Sequence, residues 1–317
     1  MYLTIGTTTV DLFITGFGEL PRFEHDEFSN IGLAWCDRPL TAAVGGNGAN
    51  SAYVLAALGV HSALFSAVGA DLFGATVHGW LSERGVDLRG LIRSQTHGSA
   101  TTTAVMDGRG RRISFYHPGP LHDMKPADLS PALLGEATTL LITGPSLLPG
   151  LRWAGYQATL RAVHGRGGRT ALDIGPALGE PVALDELAPL LPYIDVLLAN
   201  DYELGIFAGT DDLDSAAQRA VDAGARLLVL KRGKDGASAY RPGQPPLHAA
   251  GFPVEATNTV GAGDTFNAGL LYALDHGHAL ETALTYGCAA ASIVVGRGKS
   301  VLGAPTPAEV EARIDGG

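Results

Sequence analysis

The chain has 317 residues, 46% hydrophobic and 17% charged, which is enough to build a large core and too little charge for disorder. Its 22 basic residues against 32 acidic ones give a formal charge of −10, and no basic run or Arg-rich stripe appears, which argues against nucleic acid as a partner. Glycine is abundant, at 43 residues, but has no G-X-Y period, so a collagen-like chain is excluded.

At roughly 100–200 residues per domain, this length allows one large α/β domain or two modest ones. Two cysteines, Cys36 and Cys288, make neither a disulfide framework nor a Cys-rich zinc site, and they suit a reducing compartment. The start, Met1-Tyr2-Leu3-Thr4-Ile5-Gly6, reads as a strand rather than a signal peptide. The longest apolar run, 289–295, is far short of the ~18 residues of a membrane span. A cytoplasmic protein without a membrane partner is expected.

In chain order, short apolar runs predict strands over 2–5, 63–67, 139–143, 170–173, 196–199 and 226–230. Between them, helical patterns cover 49–57, 73–84, 151–163, 203–208 and 215–223. Two Ala-rich helices follow over 263–274 and 279–295, then a last short helix capped near Thr306. This alternation predicts an α/β fold with a doubly wound, mostly parallel sheet flanked by helices. Two segments break the rhythm. Residues 12–44 lack a helical period and carry Gly16, Gly18, Pro21, Gly32 and Pro39. Residues 99–117 read as a hairpin, with strands over 99–106 and 111–116 around Asp107-Gly108-Arg109-Gly110. Together they predict a small β-sheet inserted in a single domain spanning 1–317, either a lid over a site or a fixed edge hairpin.

Four stretches can carry chemistry. In Asn258-Thr259-Val260-Gly261-Ala262-Gly263-Asp264 a small-residue turn enters a helix, where unpaired amides and the positive dipole end favour an anion. Asp264 there is either a cap or a base that takes a proton from an attacking hydroxyl. Gly45-Gly46-Asn47-Gly48-Ala49-Asn50 opens another helix; Asn47 and Asn50 can bind a polyhydroxylated ligand or make a turn. Asn200-Asp201-Tyr202-Glu203 and Lys231-Arg232-Gly233 both follow predicted strands, at the end of the sheet where ligands bind. The first set can meet Mg²⁺ or phosphate, or cap a helix. The cations of the second can touch phosphates or lie in an exposed turn. Asp11 can bind sugar hydroxyls or end a strand. Gly296-Arg297-Gly298-Lys299-Ser300 ends like a phosphate-binding loop, but Ile293 stands where that motif needs glycine. No G-x-G-x-x-G follows the first strand, which excludes a dinucleotide fingerprint.

Taken in order, Gly6 with Asp11, Gly45 to Asn50, Val68-Gly69-Ala70-Asp71-Leu72-Phe73-Gly74, Asn200 to Glu203, Lys231-Arg232-Gly233 and Gly261-Ala262-Gly263-Asp264 resemble the ribokinase-like (PfkB) carbohydrate kinase family over essentially the whole chain. The resemblance implies a ribokinase-like fold with a β-lid and ATP-dependent phosphorylation of a hydroxyl, usually a primary alcohol, on a small sugar or sugar derivative. It makes Asp264 the general base and the amides of Gly261, Ala262 and Gly263 an anion hole. Asp11, Gly45, Gly46, Asn47 and Asn50 would line the sugar site. Asn200 and Glu203 would organise the phosphates and Mg²⁺, Glu203 through water. Lys231 and Gly233 would lie along the ATP phosphates, Asn258 would help bind the nucleotide, and adenine would lie near 257–259 and 290–298. A homodimer through the lid is a further implication.

The chain departs from that pattern in three places. Many relatives carry Asp at the position of Asn258; the loss of that charge makes weak or absent potassium activation the expectation. Lys231 stands where many relatives have Thr, either on a phosphate or in solvent. The segment Asp173-Ile174-Gly175-Pro176 differs from the family's usual loop. A nucleoside kinase of the same family is the alternative, decided by lid residues such as Phe13, Phe17, Phe115 and His117. A sugar-binding regulator without catalysis is another.

Overall fold

Strands that are buried along their length form the centre of the molecule, because a parallel sheet covered on both faces has no side open to water. The computed structural model describes residues 1–17, 19, 36–108, 112–176, 178–256 and 258–316. Gly18, Pro21, Gly32 and the Arg109-Gly110 turn of the expected hairpin lie outside the described residues.

The strands are β1 (Tyr2–Ile5), β2 (Thr9–Phe17), β3 (Thr41–Gly45), β4 (Ser62–Gly69), β5 (Asp87–Ser94), β6 (Thr101–Asp107), β7 (Arg112–His117), β8 (Thr139–Thr143), β9 (Arg169–Asp173), β10 (Val196–Asn200), β11 (Leu228–Lys231), β12 (Ala237–Arg241) and β13 (Gln244–Ala249). The helices are α1 (Asn47–Ala57), α2 (Leu72–Glu83), α3 (Pro131–Glu136), α4 (Ala154–His164), α5 (Leu184–Leu187), α6 (Asp201–Ala208), α7 (Leu213–Asp222), α8 (Ala262–Asp275), α9 (Leu280–Arg297) and α10 (Pro307–Asp315).

Nine strands make one sheet in the order β13-β12-β11-β10-β9-β8-β1-β4-β5. From β11 to β5 every pairing is parallel, and β12 and β13 are antiparallel. Alternate residues serve opposite faces. In β10, Val196 and Leu198 pack with α1, α8 and α9 through Ala52, Phe266 and Leu284. Leu197 and Ala199 pack on the other side with Tyr156, Leu160 and Phe207. The expected doubly wound architecture is therefore present. Sequence reading did not find β5, β12 and β13, which lie toward or at the rims; β13 is mostly exposed and holds two prolines, which only an edge strand tolerates.

A second sheet, ordered β3-β2-β6-β7, stands apart. Its β6–β7 pair is the expected 99–117 hairpin. β2 begins earlier than the expected 12–44 segment, so Asp11 sits inside a strand rather than at its end. Asp71 fixes where β6 departs from the core. Its carboxylate caps α2 at Gly74 N (2.8 Å) and accepts from Ser99 N (2.7 Å) and Ser99 Oγ (2.6 Å). Thr306 caps α10 as expected. Among the described residues, no helix is long and apolar enough to cross a membrane.

Candidate active site

Three parallel strands end side by side with polar residues: β9 in Asp173, β10 in Asn200 and β11 in Lys231. The helices α1 and α8 begin beside them. The entry to α1 needs glycine twice over. Gly46 has φ 82, and a Cβ on Gly48 would sit 2.6 Å from the Gly6 Cα. That close approach lets the Asn47 amide donate to Thr7 Oγ1 (3.1 Å) and aims the Asn47 and Asn50 side chains across at α8.

Asp264 stands in the first turn of α8, yet it does not cap it. Gly261 is the N-cap residue, with φ 80, and no side chain caps the helix. The Asp264 oxygens instead accept from Asn47 Nδ2 (3.2 Å) and Asn50 Nδ2 (2.8 Å). The carboxylate is buried, and burial pushes its pKa up to about 7; the Asn50 bond opposes this, and nearby Asp173 adds to it. A carboxyl group near neutrality and lodged among amides is suited to take a proton from a bound hydroxyl. The Ala262 amide, expected to be free for an anion, is bonded to Thr259 O at 3.2 Å. The amides of Gly263 and Asp264 follow it in the same turn, ahead of the first i−4 bond, which Thr265 N makes to Gly261 O.

Lys231 was expected either on a phosphate or in solvent. It is not in solvent: its Nζ donates to Asp173 Oδ2 at 2.6 Å, and its side chain is 12% exposed. Asn267 Nδ2 bonds the same oxygen, and Gly175 N donates to Asp173 Oδ1 (3.2 Å). Burial acts to lower the Lys231 pKa, but Asp173, Glu203 and Asp264 outweigh it and raise it.

Asn200 and Glu203 form a reciprocal capping box on α6. Asn200 Oδ1 accepts from Glu203 N, and Glu203 Oε2 accepts from Asn200 N, both at 2.8 Å. The capping role is thus real, and it leaves the second Glu203 oxygen for other work. Burial raises the Glu203 pKa. Among the described residues no cluster of three His, Cys, Asp or Glu side chains is placed to hold a metal. A carboxylate in the first helical turn beyond a strand end, as Glu203 is, suits Mg²⁺, which keeps most of its waters and takes one or two protein carboxylates. Gly233 lies in an exposed turn beyond Lys231. Asn258 Oδ1 accepts from Val260 N (3.0 Å), which shapes the turn before Gly261.

The small sheet brings Asp11 to the entry of α1. Asp11 is buried, accepts from Thr9 Oγ1 (2.7 Å), and lies so close to Gly45 that a Cβ there would meet its Oδ1 at 2.1 Å. Burial raises its pKa, against hydrogen bonds from Thr9 and Thr102. The register runs Ala43–Asp11–Thr102–Tyr116 across the four strands. Tyr116 therefore shares a face with Asp11 and is 41% exposed. Phe115 and His117 alternate to the opposite face, which corrects their expected place over the substrate. Phe13 is on the Asp11 side but is consumed by packing with Ala43, Ala104, Val260 and Leu302. Phe17 lies beyond a bulge in β2. Sequence reading missed Thr7, Tyr116, Asn267 and the anchoring role of Asp173. Asp173 carried a usable signal, since it ends an apolar strand just as Asn200 does.

The family model for the pfkB family of carbohydrate kinases matches residues 38–307. A 5-dehydro-2-deoxygluconokinase from Photobacterium profundum is 26% identical over 278 residues, covering 83% of each chain. An ATP-dependent ribose-1-phosphate kinase from Halopiger xanaduensis is 29% identical over 268 residues, covering 84% of this chain and 85% of its own. The structure of Arabidopsis thaliana ribokinase complexed with ribose and ATP has a TM-score of 0.83 at 22% identity, covering 99% of this chain and 98% of its own, and shares its fold. With a matching family model over most of its length and a ribokinase-like architecture around Asp264, the chain belongs to the pfkB family of carbohydrate kinases.

Proposed function

We propose that this enzyme transfers the γ-phosphoryl group of ATP to a hydroxyl of a small sugar or sugar derivative, with Asp264 as general base. The observation that carries the reading is the hold on Asp264: a helix-start carboxylate turned away from its own helix and kept by Asn47 and Asn50. Asp264 accepts the hydroxyl proton as the oxygen attacks. Charge gathering on the transferring group meets the first-turn amides, with Gly263 and Asp264 in place of Ala262 beside Gly261. Asp11, with Thr102 and Tyr116 beside it, fixes the sugar, and Gly45 lets Asp11 come close. Asn200 and Glu203 order the phosphate end. Mg²⁺, held there through water by Glu203, would neutralise phosphate charge. Lys231 lies on the phosphate side, with Gly233 outside it. Asn258 offers a neutral oxygen rather than a carboxylate, which supports weak or absent potassium activation.

The small sheet has two further roles. It acts as a lid, excluding water from the transfer. Its outward face exposes Ile113 and Phe115, which supports pairing with a second copy through the lid. Sedimentation of the wild type against Phe115→Glu checks this, and a wild-type monomer refutes it.

The sugar reading is favoured over a nucleoside because Phe13 is already packed and offers no slot for a base. The test is ADP release with Mg-ATP across sugars, sugar acids, sugar phosphates and nucleosides, with Asp264→Asn alongside. Turnover on one sugar-type compound that collapses in the variant is expected. Binding of a sugar without turnover would favour the regulator, and turnover on a nucleoside alone the alternative kinase.

A further inference from the structure

Around Lys231 three acids, Asp173, Glu203 and Asp264, lie within electrostatic reach of one ammonium. Burying such a set is costly unless each charge is matched. Asp173 is matched: one oxygen takes Lys231 and Asn267, the other Gly175 N. Lys231 is not. An ammonium has three donors, and its one hydrogen bond among the described residues goes to Asp173. The atom that holds these unused donors stands at the first turn of α8, where a Cβ built on Gly263 would meet Lys231 Nζ at 3.7 Å and nothing nearer. An anchored cation with spare donors, next to amides with no cap, is half of an anion site.

We propose that Lys231 is the fixed cation of phosphoryl transfer and that Asp173 is its positioning residue, holding the ammonium beside the Gly263 turn so that the transferring group meets a tethered lysine as well as backbone amides. This rests on the kinase reading above. The same ammonium also acts on the base. Asp264 is faced by Asn47 and Asn50 from α1, by Lys231 from β11 and by Asp173 from β9; Lys231 in turn faces Glu203 from α6. Lys231 favours the ionised base, and Asp173 disfavours it.

The experiment compares Lys231→Met, Asp173→Asn and the double variant Lys231→Met/Asp173→Leu with the wild type. It reads kcat, sugar KM, the pH profile of kcat/KM, and thermal stabilisation by ATP. Lys231→Met should lose on the order of 10²-fold in kcat, the usual effect of one transition-state donor, with sugar KM within about threefold. Its acid limb should move to higher pH. Asp173→Asn should lose about tenfold, with the limb moving to lower pH. ATP should stabilise Lys231→Met less than it stabilises the wild type. The double variant removes both buried charges, so it should recover thermal stability without recovering turnover. A double variant that regains turnover makes the pair a fold element and overturns the proposal. So does Lys231→Met with an unmoved limb and kcat within threefold. A wild type that phosphorylates nothing and is not stabilised by ATP overturns the kinase reading itself.

Discussion

The two edges of the nine-stranded sheet use the same residue types to opposite ends. At the amino-terminal edge Asp275 joins the start of β8 to that of β9, taking Thr139 Oγ1 on one oxygen (2.6 Å) and Arg169 Nε on the other. Asp195 is equally full, with Thr170 N (2.9 Å) and Thr170 Oγ1 (3.1 Å) on Oδ2 and Arg226 (3.3 Å) on Oδ1. A cleft of about 410 Å³ opens there, lined by Tyr2, Arg169 and Asp275, yet its carboxylate, Asp275, is already satisfied. At the carboxyl-terminal edge acids outnumber the one lysine, and a fourteen-residue helix starts without a cap. Hollow space does not mark the reactive edge; unspent donors and an unbalanced charge do.

The sharpest way to break this contrast is at Asp264. Asp264→Asn should cut turnover by about 10²–10⁴-fold, measured by ADP release. With its pKa at about 7, the wild-type acid limb of kcat/KM should fall near neutrality. The folded protein also binds this proton more tightly than the unfolded chain, whose value is 3.8. The contribution of Asp264 to stability therefore falls as pH rises from about 4 to about 7. Asp264→Asn should flatten that part of a Tm-against-pH curve; an unchanged slope would place the proton elsewhere.

Next in size is Gly263→Ala. A methyl group there meets only the Lys231 ammonium at ordinary contact distance, so Tm should hold while kcat falls on the order of 10²-fold as the anion's space fills. Gly261→Ala sharpens the point by failing differently. Its φ of 80 and a Cβ 2.7 Å from Val301 Cγ1 should cost at least 1–2 kcal/mol of stability by roughly the left-handed penalty, read by denaturant melting. The smallest expected effect is at the other edge. Arg169→Met should lower stability by about 1 kcal/mol, the scale of a half-exposed ion pair, and leave kcat unchanged. Loss of kcat there would end the distinction between the edges.

Much of the fold was legible because buried parallel strands announce themselves as short, largely apolar runs; β1 and β8 fall within the predicted limits. The rims were not, since β5 and β13 carry charge, glycine or proline and owe their pairing to a neighbour rather than to their own pattern. In the site, residues that need a special backbone could be read, as Gly46 and Gly261 show. Residues that act by meeting across long separations could not. Asn50 reaches Asp264 over 214 positions, and Asn267 reaches Asp173 over 94, and no local spacing encodes either. The facing of Tyr116 against Phe115 depends on a register that only the paired strands fix.

The donors that hold Asp264 come from α1, and α1 follows β3 of the small sheet through Gly46 alone. Whatever settles on Asp11 thus bears on the same short stretch that sets the proton affinity of the carboxylate. A hydroxyl donated to Asp264 favours its charged form, so sugar binding near pH 7 should expel a proton before any phosphate moves. Titration calorimetry in buffers of different ionisation heat would count it, and the count should vanish in Asp264→Asn. The enzyme would then announce an occupied sugar site to the surrounding buffer, independently of the nucleotide.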